Sequence, residues 1–260
     1  MKIQGLIPHF PIILLALFVI VISISCSTAR SIISSLIDSR GNDCQEQIMH
    51  RAYWINSADL IDALQQGKRD AFINVSRYQS FLPPYAAQPV EWSQSDFLYV
   101  TQSLHRSIWQ ESLDNYSLKD MQFSLKCTET AAGPQSAQLR FFKTEDTDQY
   151  PSQLIHDFVV LPDENKIAVN ASRYSLYDNR WQAIDWAVIK IPVEDALQIA
   201  EHNGGALFRK ETDNRCAISA EITSDNNGKW VIIYSSGSGD QEKSFKLEID
   251  TQTGDVKKIH

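Results

Sequence analysis

The sequence predicts an α+β protein of two tandem modules, each a helix packed on a small antiparallel β-sheet, after an N-terminal hydrophobic signal or anchor helix. Three observations lead there. Residues 1–30 hold a long apolar run and only Lys2 and Arg30 as charged side chains. Two amphipathic helical patterns then recur about 96 positions apart. Each is followed by segments in which apolar and polar residues alternate.

Of 260 residues, 43% are hydrophobic, 22% charged and 10% aromatic, which excludes a disordered, collagen-like or coiled-coil chain. There are 24 Lys+Arg against 32 Asp+Glu. With Lys2 and Arg30 set aside, residues 31–260 carry 22 basic and 32 acidic side chains, a balance of −10. Such a surface repels a phosphate backbone, so nucleic acid is not an expected partner.

The first element runs from Ile12 through Leu14, Leu15, Phe18 and Val19 to Ile22, behind Lys2 and ahead of the small residues Ser23, Ser25 and Cys26. A positive start, an apolar stretch and small residues before a break are the parts of a secretory signal. Residues 10–25 are slightly short of the roughly 20 residues of a comfortable spanning helix. Three readings stay open. Ser25–Cys26 resembles a lipobox, which makes Cys26 a candidate lipidation residue, although Ser23 stands where that pattern wants Leu, Val or Ile. Cleavage after Ser25 or Ala29 fits a signal peptidase, and an uncleaved anchor is the third reading. All three export residues 31–260, and the lipidated and anchored readings hold them at the cell membrane.

Domain boundaries follow from composition: 1–30 a signal peptide or membrane anchor, 31–50 a polar linker, 51–160 an N-terminal α+β module and 161–260 a C-terminal one. In the first module Phe97, Val100 and Leu104 make one helical face behind Ser93 and Ser95, both good N-caps. In the second, Val193, Ala196 and Ala200 do the same, with Pro192 in the first turn and Gly204–Gly205 expected past the end. Met121, Phe123, Leu125 and Cys127 alternate like Cys216, Ile218, Ala220 and Ile222, and the chain closes on alternating Phe245, Leu247 and Ile249. Residues 71–78 align with residues 167–174, which points to duplication, so residues 93–143 are expected to superpose on 189–235. Export lets a disulfide persist, and Cys44, Cys127 and Cys216 allow one internal bridge at most. A Cys127–Cys216 bridge is not expected, because each cysteine sits on the core face of a separate module.

Residues 191–258 resemble a PepSY domain, the family found in propeptides of secreted metallopeptidases and in bacterial envelope proteins. The residues that carry the resemblance are Val193 to Ala200 with Gly204–Gly205, Lys229 to Tyr234, Phe245 to Asp250, and Thr253–Gly254–Asp255–Val256. It covers about a quarter of the chain, and half if the first module is a diverged copy. The resemblance implies an extracytoplasmic module that binds a protein partner at the cell envelope and regulates or inhibits a peptidase. With no peptidase domain before His260, regulation in trans is expected.

Residue chemistry points away from catalysis. No Cys-x-x-Cys, His-Glu-x-x-His, nucleophile elbow or phosphate loop occurs, so no catalytic residue, metal or cofactor is expected. His105 beside the apolar helix face reads as packing, and His202 in a last helical turn as dipole compensation. His156–Asp157 could orient a nucleophile, but no nucleophile motif accompanies it. Asp59, Asp62, Glu194 and Asp195 read as a solvated face or first-turn acids, and Trp181 and Trp186 as core or interface packing. The sequons at Asn74, Asn115 and Asn170 read as structural. The leading expectation is a membrane-tethered, non-enzymatic binding protein. The alternatives are an envelope hydrolase using His105 or His156, and a structural envelope lipoprotein.

Overall fold

The computed structural model describes residues 44–55, 76–77, 92–128, 134–146, 151–175, 182–226, 228–237 and 242–259. The apolar segment 10–25 and Cys26 lie outside them. Among the described residues no helix is long and apolar enough to cross a membrane.

Ser93 caps the first helix, α1 (Gln94–Trp109): its hydroxyl accepts from the Asp96 N–H, while the Asp96 carboxylate accepts from the Ser93 N–H at 2.8 Å. This reciprocal capping box satisfies two donors that a bare helix start leaves unpaired. Phe97, Val100 and Leu104 are fully buried, the face that the i, i+3, i+7 spacing marks. Gln110, at φ +57°, ends the helix in the left-handed region.

Four strands follow as a meander: β3 (Ser117–Lys126), β4 (Ser136–Asp146), β5 (Pro151–Leu161) and β6 (Lys166–Ser175). The N-terminal strand β1 (Cys44–Trp54) pairs outside β6, and the two-residue β2 (Ser76–Arg77) pairs with β1. A second helix, α2 (Val193–Ala200), leads into β7 (Ala217–Thr223), β8 (Lys229–Ser236), β9 (Lys243–Asp250) and β10 (Val256–Ile259). The ten strands among the described residues lie in one sheet, ordered β10-β9-β8-β7-β3-β4-β5-β6-β1-β2, and every pairing is antiparallel.

The two separate helix-on-small-sheet modules expected from the sequence are thereby corrected. β3 and β7, the first strand of each meander, pair through seven residues from Asp120↔Thr223 to Lys126↔Ala217. Met121↔Ile222, Phe123↔Ala220 and Leu125↔Ile218 all put their side chains into one core. Alternation along a strand shows which face is buried but not which strand lies alongside, so the sequence pattern could not disclose this junction. The boundary at 160/161 falls inside β5. Residues 167–174 form most of β6, and Ser76–Arg77 of the matching segment 71–78 form β2, two strands away in the same half of the sheet. The match therefore marks no equivalent positions in two modules.

The junction also corrects the cysteine expectation. Cys127 and Cys216 follow the last pair, Lys126↔Ala217, and form a disulfide with Cα atoms 5.2 Å apart. The Cys127 N–H donates to the Cys216 carbonyl at 3.0 Å. The core faces of the two halves are one face, so the reason for excluding the bridge disappears.

The helix starts are locked to one another. The backbone N–H of Gln94 donates to the Glu194 carboxylate, and the Val193 N–H donates to the Gln94 side-chain oxygen at 2.9 Å. Each helix thus caps the other's N-terminus. Gly204–Gly205 end the second helix as expected: Asn203 and Gly204 leave helical geometry, and a separate helix, α3 (Ala206–Glu211), starts beyond the kink. Gly204 adopts φ +126°, and a Cβ at Gly205 would collide with the Tyr234 hydroxyl, so glycine is needed at both positions. Arg209 on α3 pairs with Glu201 at 2.5 Å, Glu201 accepts from the Tyr234 hydroxyl at 2.8 Å, and Arg209 reaches the Cys127 carbonyl at 3.4 Å.

Two stability changes follow. Replacing both Cys127 and Cys216 by Ala opens a crosslink with sequence separation 89. It should lower unfolding free energy in urea by about 2–4 kcal/mol while leaving far-ultraviolet dichroism unchanged, because the β3–β7 hydrogen bonds persist. Gln94→Ala strips the cap from a buried Val193 N–H and should cost about 1–3 kcal/mol in the same measurement.

Candidate functional site

One end of the core holds two imidazoles. His105 follows Leu104 on the inner side of α1, and Trp109 lies one turn further on. β5 alternates so that His156, Phe158 and Val160 face inward. His105 is 0% and His156 1% exposed, values that remove both from contact with solvent. The His105 Nε2 lies 3.0 Å from the His156 Nδ1, and the His105 Nδ1 lies 3.0 Å from the backbone oxygen of Glu111.

These contacts determine the proton positions. A carbonyl oxygen only accepts, so the His105 Nδ1 carries a proton and its neutral ring has a bare Nε2. That nitrogen accepts from the Nδ1–H of His156, which leaves a lone pair on the His156 Nε2. The His156 ring stacks on Trp109 at 3.9 Å and 15° and on Tyr116 at 4.7 Å and 29°. His105 meets Tyr116 edge-on at 4.9 Å.

Glu111, in the connection between α1 and the 3₁₀ turn Leu113–Asn115, gathers the polar groups around the pair. Its carboxylate accepts from Lys143 at 2.9 Å, Asn115 at 3.2 Å and the Tyr116 hydroxyl at 3.3 Å. Lys143 also stands 5.5 Å from the centre of the Tyr116 ring. Burial lowers the pKa of His105, and the Glu111 carbonyl and charge only partly oppose it. Burial, reinforced by the neighbouring His105, lowers His156 to about 3. The Lys143 hydrogen bond holds the Glu111 carboxyl below its ordinary value, and burial with Glu111 nearby raises the Tyr116 phenol.

Chemically this is a base, His156 Nε2, oriented through His105 by a backbone carbonyl. It has the hydrogen-bond logic of a catalytic relay, but it is sealed under Trp109 and Tyr116, so no substrate reaches it in this conformation. The sequence treats the two histidines as unrelated, and the structure brings them into one hydrogen bond. The available signal was parity: His156 shares its strand face with Phe158 and Val160, and His105 sits beside Leu104.

The other singled-out residues are dispersed. His50 bonds Asn170 on the opposite sheet face, and the His202 Nδ1 donates to the Gln198 carbonyl at 2.7 Å, at the helix end as expected. Glu194 caps α1 rather than serving only as a first-turn acid. Trp186 is 39% exposed, which corrects its reading as core. His9, His260, Asp59, Asp62, Asn74 and Trp181 lie outside the described residues. Among the described residues no three His, Cys, Asp or Glu side chains come together to hold a metal ion.

No family model matches the chain, and no curated protein matches it. Among solved structures, a MaoC-like dehydratase from Phytophthora Capsici is similar at 12% identity and a TM-score of 0.21, with 80% of this chain and 92% of that chain covered. A likeness of that size carries no argument about fold or activity.

The imidazole pair makes stability acid-sensitive. An unfolded chain charges both rings near pH 6.5, whereas folded His156 stays neutral down to about 3. The unfolded state then binds more protons, so stability falls as pH drops from 6.5 toward 3, by up to about 1.4 kcal/mol per pH unit for each proton. His156→Phe keeps an aromatic ring between its neighbours but strands the buried His105 Nε2. Urea titrations at several pH values should show a loss of about 1–3 kcal/mol at pH 7 and a shallower acid slope.

Proposed function

We propose that this chain is a membrane-tethered extracytoplasmic protein that binds a protein partner and is not an enzyme, the role that the PepSY-like resemblance of residues 191–258 implies. The observation that carries the location is the Cys127–Cys216 disulfide, which clasps the central strand pair. Such a bridge persists in an oxidising compartment and not in a reduced cytosol. The apolar segment 10–25 supplies the tether, with Cys26 as the lipidation candidate. Binding is favoured over a hydrolase using His105 or His156 because both imidazoles are sealed beneath Trp109 and Tyr116. Regulation of a peptidase is the finer form of the same proposal.

The test must leave the sheet whole. Deleting residues 191–260 would strip β7 to β10 from β3 and open the shared core, so loss of binding in that deletion would report unfolding. A photocrosslinking residue at Leu207, 60% exposed on α3, reports binding without that damage. In cells expressing the full chain, Cys127 and Cys216 should resist thiol labelling until reduced. The protein should fractionate with membranes, and the crosslinker should yield one discrete protein adduct. Recovery of a reduced chain in the cytosol overturns the location. An absence of adducts at Leu207 and at Trp186, the two exposed large apolar side chains among the described residues of the C-terminal half, overturns binding through that half.

A further inference from the structure

We propose that the His105–His156 pair is an acid-operated latch: proton uptake frees the last turn of α1 and residues 110–116 from β4 and β5, baring Trp109 and Tyr116 while the rest of the sheet stays folded.

The geometry confines the effect to that segment. Residues 110–115 form a short surface connection, with Gln110, Asp114 and Asn115 exposed, directly over the pair. Its inward ties are few: the Glu111 carbonyl to His105, the Glu111 carboxylate to Lys143, and Leu113 and Tyr116 packed in the core. Trp109, half-buried, covers one side of the His156 ring. Opening this flap therefore exposes both imidazoles without unpairing a strand.

The groups around the pair give a proton little support in the closed form. α1 contributes His105 and Trp109, and the connection to β3 contributes Glu111 and Tyr116. β4 contributes Phe141 and Lys143, β5 Phe158, and β6 Ala171 opposite His156. Among the described residues Glu111 is the one acid whose charge acts on the pair, and its carboxylate is already engaged by Lys143, whose charge opposes an imidazolium. The hydrogen bonds also fix where a proton goes. The bonded pair takes up a proton at the bare His156 Nε2, which leaves the 3.0 Å contact intact but puts the charge on a ring that is 1% exposed and stacked on Trp109 and Tyr116. Water around the opened rings accepts the charge freely, so protons are bound by the open form and drive it by mass action.

Hydrogen exchange on the full-length protein in mild detergent, corrected for intrinsic rates, tests this. The opening constant of peptides covering residues 105–116 should rise about tenfold per pH unit between roughly pH 6.5 and 5 for one proton taken up, while peptides from β7 to β9 stay constant. The double variant His105→Leu/His156→Phe, which replaces both partners by apolar groups, should lose the rise. Nitrogen-15 spectra of the wild-type histidine rings give an independent arm, which stands even if the variant does not fold. Both rings should keep the Nδ1–H neutral tautomer until the segment opens. A pH-independent opening, an equal rise in the double variant, or either ring charging near pH 6.5 with the segment closed overturns the latch.

Discussion

The pairing of β3 with β7 is the constraint on which the other features rest. Each helix leads into four strands, and a four-stranded meander on its own leaves its first strand with an unpaired edge. Here the two first strands satisfy one another through seven residue pairs. The Cys127–Cys216 bridge closes one end of that seam. Beyond it, the reciprocal capping of Gln94 and Glu194 aligns the helices over the joined sheet.

A shared sheet makes a shared core. An edge-to-face series runs from Trp92 to Phe97 at 5.2 Å and from Phe97 to Phe123 at 5.6 Å, then continues to Trp230 at 6.0 Å. It crosses from the start of α1 through β3 into β8, so neither half can keep its aromatic packing without the other. The same reasoning explains the kink at Gly204. Starting a new helix beyond it brings Arg209 of α3 to Glu201 and to the Cys127 carbonyl, which ties the end of the second helix to the seam.

Away from the seam, the core end beneath α1 is built differently. There the packing is completed by imidazoles, hydrogen-bonded to one another, with His156 stacked on Trp109 and Tyr116. Neutral imidazoles fill space much as Phe and Tyr do, so this arrangement is well packed at neutral pH and ill suited to charge. Packing and titration are thus the same property of these two residues: the burial that fits the rings together also disfavours their charged forms.

Local patterns in the sequence were sufficient for much of this. Ser93 ahead of Phe97, Val100 and Leu104 located α1 and its inner face, because capping and helical periodicity act within a few residues. Met121, Phe123 and Leu125, Ile218, Ala220 and Ile222, and Leu247 and Ile249 showed their inward sides for the same reason, as did the helical face of Val193, Ala196 and Ala200. What only the tertiary structure decided is which of these elements meet. The β3–β7 seam, the disulfide across it, the capping of each helix by the other and the contact of His105 with His156, 51 residues away, all join distant positions. Strand alternation is the same whichever neighbour a strand takes, and an inward-facing histidine looks the same whether it meets a leucine or another imidazole. Gly204–Gly205 divide between the two: the helix end they mark was legible locally, because a positive φ closes a helix within one residue, whereas the close approach of Phe245 and Tyr234 to them is tertiary.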